Sequence, residues 1–330
     1  MIGCRYRVEE IRVRAVIFGG SGFLGTHLAK SLCAAGHDVV IADLVAPAAL
    51  PERTRFELAD VRDPIRLEHG EPFDAVYNLA AIHRTPGHTP AEYYETNVSG
   101  ATNVTAWCEA GGERYIYFTS SIAVYGRADT PTTEQTAPQP ISDYGRSKLE
   151  AEQIHRLWRH GNDARRLVIS RPGAVFGPGE GGNFTRLADS LHARRFMYPG
   201  RKDIVKACGY VGDFVESVRF AETLPDPEVT YNFAYPDQYT SGDVCNALHK
   251  VAGLPLPRTL PASLVRVAVA VLGARGTGRR GPAMAERIKK LLTPTNIVPR
   301  ELLDRGFNWK TDLESGIQAW LDDQPAGTLA

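Results

Sequence analysis

Through the first half of the chain, short runs of β-branched and aromatic residues alternate with helix-length stretches. Residues 13–18 (VRAVIF) form such a run directly before glycines, and 26–35 carry apolar residues at helical spacing until Gly36 stops the helix. Residues 39–42 (VVIA) read as a second strand. The later apolar runs 75–79, 115–119 and 167–170 are separated by segments long enough for a helix. Strands that are apolar throughout, rather than alternating, need cover on both faces. Repeated β-α units supply it, so the pattern predicts an α/β fold with a doubly wound parallel sheet and right-handed crossovers.

After Arg171-Pro172 the texture changes. Residues 177–182 (GPGEGG) read as a loop, and Pro and Gly become frequent. The expected organisation is a dinucleotide-binding Rossmann domain over 12–172, with 206–234 returning to it. A smaller substrate-binding lobe is expected from 173–205 and 235–322. No internal repeat or low-complexity tract appears, and the tail from Gln324 reads as frayed.

Composition narrows the class. The 330 residues are 43% hydrophobic and 23% charged with a formal net charge of zero, which fits a globular protein and argues against a nucleic-acid partner. The five cysteines (Cys4, Cys33, Cys108, Cys208, Cys245) are scattered with no CxxC pair, so reduced thiols are expected, with no zinc site. The N-terminus lacks a signal-peptide pattern, and the longest apolar run, 262–272, is interrupted by Arg266. These features place the protein in the cytoplasm.

Three constellations bear chemistry. Gly19-Gly20-Ser21-Gly22-Phe23-Leu24-Gly25 follows a strand and opens a helix, where glycines permit a tight turn and close approach to a pyrophosphate at the helix N-terminus. Asp43 ends the second strand at the distance where a carboxylate receives ribose hydroxyls. Leu44 beside it offers no cation for a 2′-phosphate, which favours NAD over NADP. Asp60-Val61 follows a third candidate strand and suits the adenine edge. In Tyr144-Gly145-Arg146-Ser147-Lys148, Tyr144 and Lys148 share one helix face, where an ammonium is expected to lower the phenol toward working pH. Thr119-Ser120-Ser121 ends an upstream apolar strand and offers a hydroxyl beside the tyrosine.

With these motifs stand Asp60-Val61-Arg62-Asp63, Asn78-Leu79-Ala80-Ala81, Asn97-Val98-Ser99-Gly100 with Asn103, Val124-Tyr125-Gly126, and Arg171-Pro172 with Val175-Phe176-Gly177-Pro178. Together they resemble the extended short-chain dehydrogenases/reductases of the sugar epimerase/dehydratase group, and the likeness runs from about Val13 to Leu321. The resemblance implies Tyr144 as acid/base, Lys148 as its activator and nicotinamide-ribose anchor, and Ser121 as the third catalytic hydroxyl. It implies NAD contacts at Gly19, Gly22, Phe23, Leu24, Gly25, Asp43, Asp60, Val61, Leu79, Ala80, Ala81, His83, Asn97, Tyr144, Lys148 and Pro172. Asn97 is also expected to support the site's architecture. Ser121, Asn183 and Lys206 are the implied substrate residues, although Lys206 replaces the group's usual arginine and reads equally as a surface lysine. No metal ligand is implied.

Dehydratases of the group carry Asp-Glu immediately after the catalytic hydroxyl. Ile122 and Ala123 stand there instead, and neither can move a proton. Ala123 also disfavours a nucleotide-glucuronate decarboxylase, and Asp43 disfavours an NADP-dependent reductive epimerase. The remaining Ser/Tyr/Lys set with NAD suits a C4 epimerase. Residues 80–104 and 206–220 look most similar to bacterial 4-epimerases of O-antigen assembly, which act on a sugar carried by undecaprenyl diphosphate; UDP-glucose and UDP-N-acetylglucosamine 4-epimerases are wider neighbours. A one-way 4-ketosugar reductase uses the same three residues and stays open, as does a dinucleotide-binding sensor without catalysis. The resemblance also implies a homodimer. Finally, the cations Arg258, Arg266, Arg275, Arg279, Arg280, Arg287, Lys289, Lys290 and Arg300 surround the apolar 264–272. That segment reads either as a contact with the inner membrane face or as a core helix followed by a solvated basic loop.

Overall fold

The computed structural model describes residues 13–68, 70–84, 87–261, 263, 288–324 and 329. Seven strands form one parallel sheet: β1 (Arg14–Phe18), β2 (Asp38–Asp43), β3 (Thr54–Leu58), β4 (Ala75–Asn78), β5 (Tyr115–Thr119), β7 (Arg166–Pro172) and β11 (Glu228–Phe233). Their order is β11-β7-β5-β4-β1-β2-β3, so the fold is the doubly wound α/β arrangement expected. The chain winds one way from β1 through β2 to β3 and the other way from β4 outward. The crevice between β1 and β4 is therefore the switch point, where such sheets bind ligands.

Alternate residues of each strand enter different cores, which explains the nearly continuous apolar runs. Ala15, Ile17, Val39, Ile41, Tyr77, Tyr117 and Val168 pack with Leu28 and Leu32 of α1 (Phe23–Ala34) and with Phe214 and Val218 of α6 (Val211–Thr223). Val16, Phe18, Val40, Val76, Ile116, Phe118 and Ile169 face the other way. They meet Ala101, Val104 and Trp107 of α3 (Gly100–Gly111) and Ala151 and Trp158 of α4 (Asp143–His160). Helix α1 begins at Phe23, three residues before the expected start, because the glycine turn passes straight into it.

A third core joins Phe176, Phe184, Leu191, Val244, Leu248, Ile317 and Trp320. It draws on α5 (Asn183–His192), α7 (Ser241–Ala252) and a helix at Leu313–Asp322. Short parallel pairs stitch the rest: β8 (Ala174–Phe176) with β10 (Cys208–Tyr210), β9 (Met197–Pro199) with β12 (Arg258–Leu260), and β6 (Ala128–Thr132) with β13 (Thr295–Ile297). Among the described residues no helix is long and apolar enough to cross a membrane. The apolar 264–272 and the cations Arg266, Arg275, Arg279, Arg280 and Arg287 lie outside them. Cys33, Cys108, Cys208 and Cys245 are free thiols.

Candidate active site

At the switch point the glycine turn meets the loop after β4 backbone to backbone. Gly19 has φ +76°, and a Cβ there would lie 2.6 Å from the Ala80 nitrogen. A Cβ on Gly25 would lie 2.5 Å from Gly19 O, so the first turn of α1 also rests directly on the glycine turn. No side chain caps α1, and its first amides remain available to an anion. The Ser21 hydroxyl within this turn is buried and has no protein partner. Asp43 leans over the same turn: Ser21 N donates to its Oδ2 at 3.0 Å and Leu44 N to its Oδ1 at 2.7 Å. Phe23 stands edge-on to His27, and Leu24 packs against the sheet core. A backbone cradle that side chains would fill, a partnerless hydroxyl inside it and a carboxylate at its rim together fit a dinucleotide.

Beyond β3, an open cavity of about 340 Å³ is lined by Asp60, Arg62, Asp63, Glu95 and Ser99. The Asp60 carboxylate is gripped by the Arg62 guanidinium at 2.6 Å, which holds it below its ordinary range. The neighbouring Val61 is buried under Gly100, and its carbonyl accepts from Asn103 Nδ2 at 2.8 Å. Leu79, Ala80 and Ala81 run along the crevice after β4, while Pro172 ends β7.

The opposite wall is the start of α4. Ser142 caps it by accepting from Gly145 N at 3.0 Å. Gly145 itself is pressed against Ala123 O, where any side chain would collide, so the helix sits directly on the turn that carries Ser121. Ser121 Oγ accepts from Ala123 N at 3.2 Å and stands beside the Tyr144 hydroxyl, whose ionised form it favours. Tyr144 is half-buried beside Tyr93 of α2 (Pro90–Tyr94), with ring centroids 6.0 Å apart. Lys148, one turn further along α4, is 1% exposed, and its ammonium lies 4.4 Å from the centre of the Phe118 ring.

The expected lowering of the phenol is not what this geometry produces. Burial pushes Tyr144 up to about 12 against the hydrogen bond from Ser121, with Tyr93 adding to the rise. Burial equally pushes Lys148 down to about 7, only partly opposed by Glu152. Each group is discouraged from ionising alone.

Asn97 holds this wall to the crevice rather than opening into it. Its Nδ2 donates to Ser147 Oγ at 2.9 Å and to Ile82 O at 3.2 Å, and its Oδ1 accepts from Ile82 N at 3.1 Å. All three bonds are internal, so the side chain ties α4 to the loop after β4.

Behind Tyr144 and Lys148 lies a buried polar network absent from the sequence reading. Arg171 donates to both carboxylate oxygens of Glu152, at 2.8 and 2.6 Å, and to the Tyr125 hydroxyl at 2.7 Å. Ser120 Oγ donates to the same carboxylate at 2.6 Å, and Arg156 at 3.0 Å. Next along the helix, His155 stacks on Phe118, donates from Nδ1 to Ala151 O and accepts from Asn78 Nδ2. Burial drives this imidazole down to about 4, so it stays neutral. Two signals for the network stand in the sequence: Glu152 continues the Tyr144, Lys148 spacing by another four residues, and Arg171 is a charge at the end of an apolar strand.

Asn183 is the first residue of α5, exposed, with its Oδ1 accepting from Arg186 Nη2 at 3.2 Å. Lys206 turns inward instead, donating from Nζ to Lys290 O at 3.0 Å and Thr293 O at 2.8 Å. Burial and the Lys290 charge bring it down to about 8. Its hydrogen bonds clamp two segments of backbone together. His83 is held below its ordinary value by desolvation, then by the positive charges of Arg84, Lys148, Lys290 and Arg186. Arg186 and Lys290, unremarked as site residues in the sequence, thus both bear on the charge of His83. Among the described residues no cluster of side chains is arranged to hold a metal ion.

The family model described as "NAD dependent epimerase/dehydratase family" matches residues 15–234. The N-acetyl-α-D-glucosaminyl-diphospho-ditrans,octacis-undecaprenol 4-epimerase of Escherichia coli O157:H7 is 28% identical over 93% of this chain and 93% of its own length. A UDP-glucose 4-epimerase of Lactobacillus helveticus is also 28% identical, over 75% of this chain and 84% of its own. Among solved structures, the UDP-glucose 4-epimerase of Thermus thermophilus in complex with NAD superposes with a TM-score of 0.73 at 23% identity, covering 94% of this chain and 98% of that one.

Proposed function

The chain belongs to the NAD-dependent epimerase/dehydratase family, and from that premise we propose that it inverts C4 of a hexose carried on a diphosphate. The observation that carries this reading is the placing of Ser121 beside Tyr144, one helical turn from Lys148, with Ile122 and Ala123 following the serine. Ile122 and Ala123, which follow Ser121, offer no carboxylate for eliminating water.

NAD is the cofactor, and the chemistry it would supply when held in the crevice is reversible hydride acceptance. Gly19, Gly22 and Gly25 would admit its pyrophosphate against the N-terminus of α1, and Asp43 would receive the ribose hydroxyls. Tyr144 removes the proton from the sugar O4 as C4 is oxidised, and restores it when C4 is reduced from the opposite face. Ser121 hydrogen-bonds the same oxygen and keeps it beside the phenol. Lys148 balances the charge when Tyr144 is a phenolate. At the mouth, Arg186, Arg84 and Lys290 surround His83 with positive charge, which suits a diphosphate whether a nucleotide or a polyprenol lies beyond it. The two 28%-identical relatives, one named for a lipid diphosphate and one for UDP, support both carriers.

The deciding experiment incubates the purified protein with UDP-glucose, UDP-N-acetylglucosamine and N-acetylglucosaminyl-diphospho-undecaprenol and resolves the products by chromatography. The expected result is a mixture of C4 epimers from one carrier class with no added reductant. Stoichiometric consumption of added NADH with a 4-keto sugar would replace this reading with a one-way reductase. Dinucleotide binding without turnover on any keto or hydroxy sugar would indicate a sensor.

A further inference from the structure

Glu152 has no surface on solvent and no place in the chemistry above, yet it touches the turn before Ser121 and the end of β7 from the helix that carries Tyr144 and Lys148. Its Oε1 accepts from Ser120, the residue before Ser121, and from Arg171 Nε. Its Oε2 accepts from Arg171 Nη2 and Arg156 Nη1. Arg171 in turn holds Tyr125, whose hydroxyl donates to Asn232 at 2.9 Å. One carboxylate therefore pins the serine turn to α4 and α4 to the end of β7. It also sits one turn beyond Lys148 on the same helix face, where opposite charges interact.

Resting on the reading of Tyr144 and Lys148 given above, we propose that Glu152 is a positioning residue whose buried negative charge keeps Lys148 an ammonium while its hydrogen bonds hold Ser121 against Tyr144. The other walls around Lys148 explain why the helix must supply that charge itself. From β5 it meets the Phe118 ring. His83 lies in the crevice with Arg84, and Arg171 and Arg156 stand beyond the carboxylate. His155, on α4 itself, is neutral. Glu152 is thus an acid whose charge acts on a lysine that packs against an aromatic ring. Burial alone would raise the carboxyl, but Arg171, followed by Ser120 and Arg156, holds it below the ordinary range and ionised. Its charge partly restores what burial takes from Lys148.

The test follows the titration of Lys148 directly. Protein labelled with carbon-13 at lysine Cε and loaded with NAD is titrated by NMR, with Lys148→Arg identifying the signal. Glu152→Gln keeps the size and much of the hydrogen bonding but removes the charge. The lysine midpoint should fall by about one to two pH units, and the alkaline limb of the rate profile should fall with it. Ser120→Ala removes one hydrogen bond but no charge, and should leave the midpoint where it is while lowering kcat. If Glu152→Gln does not fold, Arg156→Gln decides, because its side chain is a quarter exposed. Removing that cation leaves Glu152 less neutralised, and the midpoint should rise. A midpoint unmoved in a folded Glu152→Gln, or unmoved in Arg156→Gln, overturns the proposal. The NMR readout needs no substrate, so failure of the epimerase reading would show as absent turnover with the lysine still shifting.

Discussion

Replacing Lys148 by Met should slow the enzyme in a way that pH can undo, whereas replacing Tyr144 by Phe should slow it at every pH. Burial leaves Tyr144 at about 12. At about pH 8 the lone phenol is then ionised in roughly one molecule in ten thousand, since each pH unit is a factor of ten. An ammonium within about 4–6 Å recovers one to three of those units. Lys148→Met should therefore cost about tenfold to a thousandfold in kcat near pH 8. The sign is fixed by which form works. The base must be deprotonated, so activity rises with pH through the tyrosine's titration, and losing a neighbouring cation moves that acid limb to higher pH. Part of the loss should return as the assay is made more alkaline. Tyr144→Phe retains the ring against Tyr93 but has no proton to move, and should lose about a hundredfold to ten-thousandfold with no recovery. Initial rates of epimer formation across a pH series, with bound NAD quantified for each variant, make the comparison. A Lys148→Met deficit that stays constant across the series would refute the electrostatic role. A Tyr144→Phe variant with most of its turnover would refute the acid/base role.

Asp43→Ala should weaken NAD more than NADP, because the carboxylate that sits 3.0 Å from Ser21 N repels a 2′-phosphate; equal losses in titration calorimetry would reject the assignment. Gly25→Ala places a Cβ 2.5 Å from Gly19 O, between two backbone segments that have no room to part. It should cost about 1–3 kcal/mol of stability and release NAD, read by thermal melting with and without the cofactor. Glu152 is held below its ordinary value of 4.5, so its contribution to stability is full above that value and is lost as pH falls through the lower folded value. Melting temperature below about pH 4.5 should accordingly fall less steeply in Glu152→Gln than in the parent, and parallel slopes would contradict this.

The sheet was legible because its information is local. Strands covered on both faces must be apolar at consecutive positions, and runs such as Val16-Ile17-Phe18 and Val39-Val40-Ile41 announce this without reference to anything distant. The glycine turn was legible for a similar reason, since strand, glycines and helix are contiguous. Tyr144 and Lys148 could be paired because a helix converts a spacing of four into proximity.

The remainder required knowing what returns from far along the chain. Lys206 reads as a cation seeking a diphosphate until Lys290 and Thr293 present their carbonyls to it. Nothing near Lys206 in sequence foretells those acceptors, whereas Arg186, which reads as an ordinary charge on a surface helix, bears on the charge of His83. The phenol was misjudged on related grounds. The spacing showed that an ammonium would be near Tyr144, but not that the same burial would weaken the ammonium. Proximity was a property of the helix, and desolvation a property of the whole fold. Glu152 belongs to both: its spacing from Lys148 is visible in the sequence, but its meaning depends on Arg171 arriving from another strand. Without that guanidinium an acid in this position would be expected to stay protonated or point to water. With it, the acid remains ionised at the back of the site, where a buried lysine most needs a counter-charge.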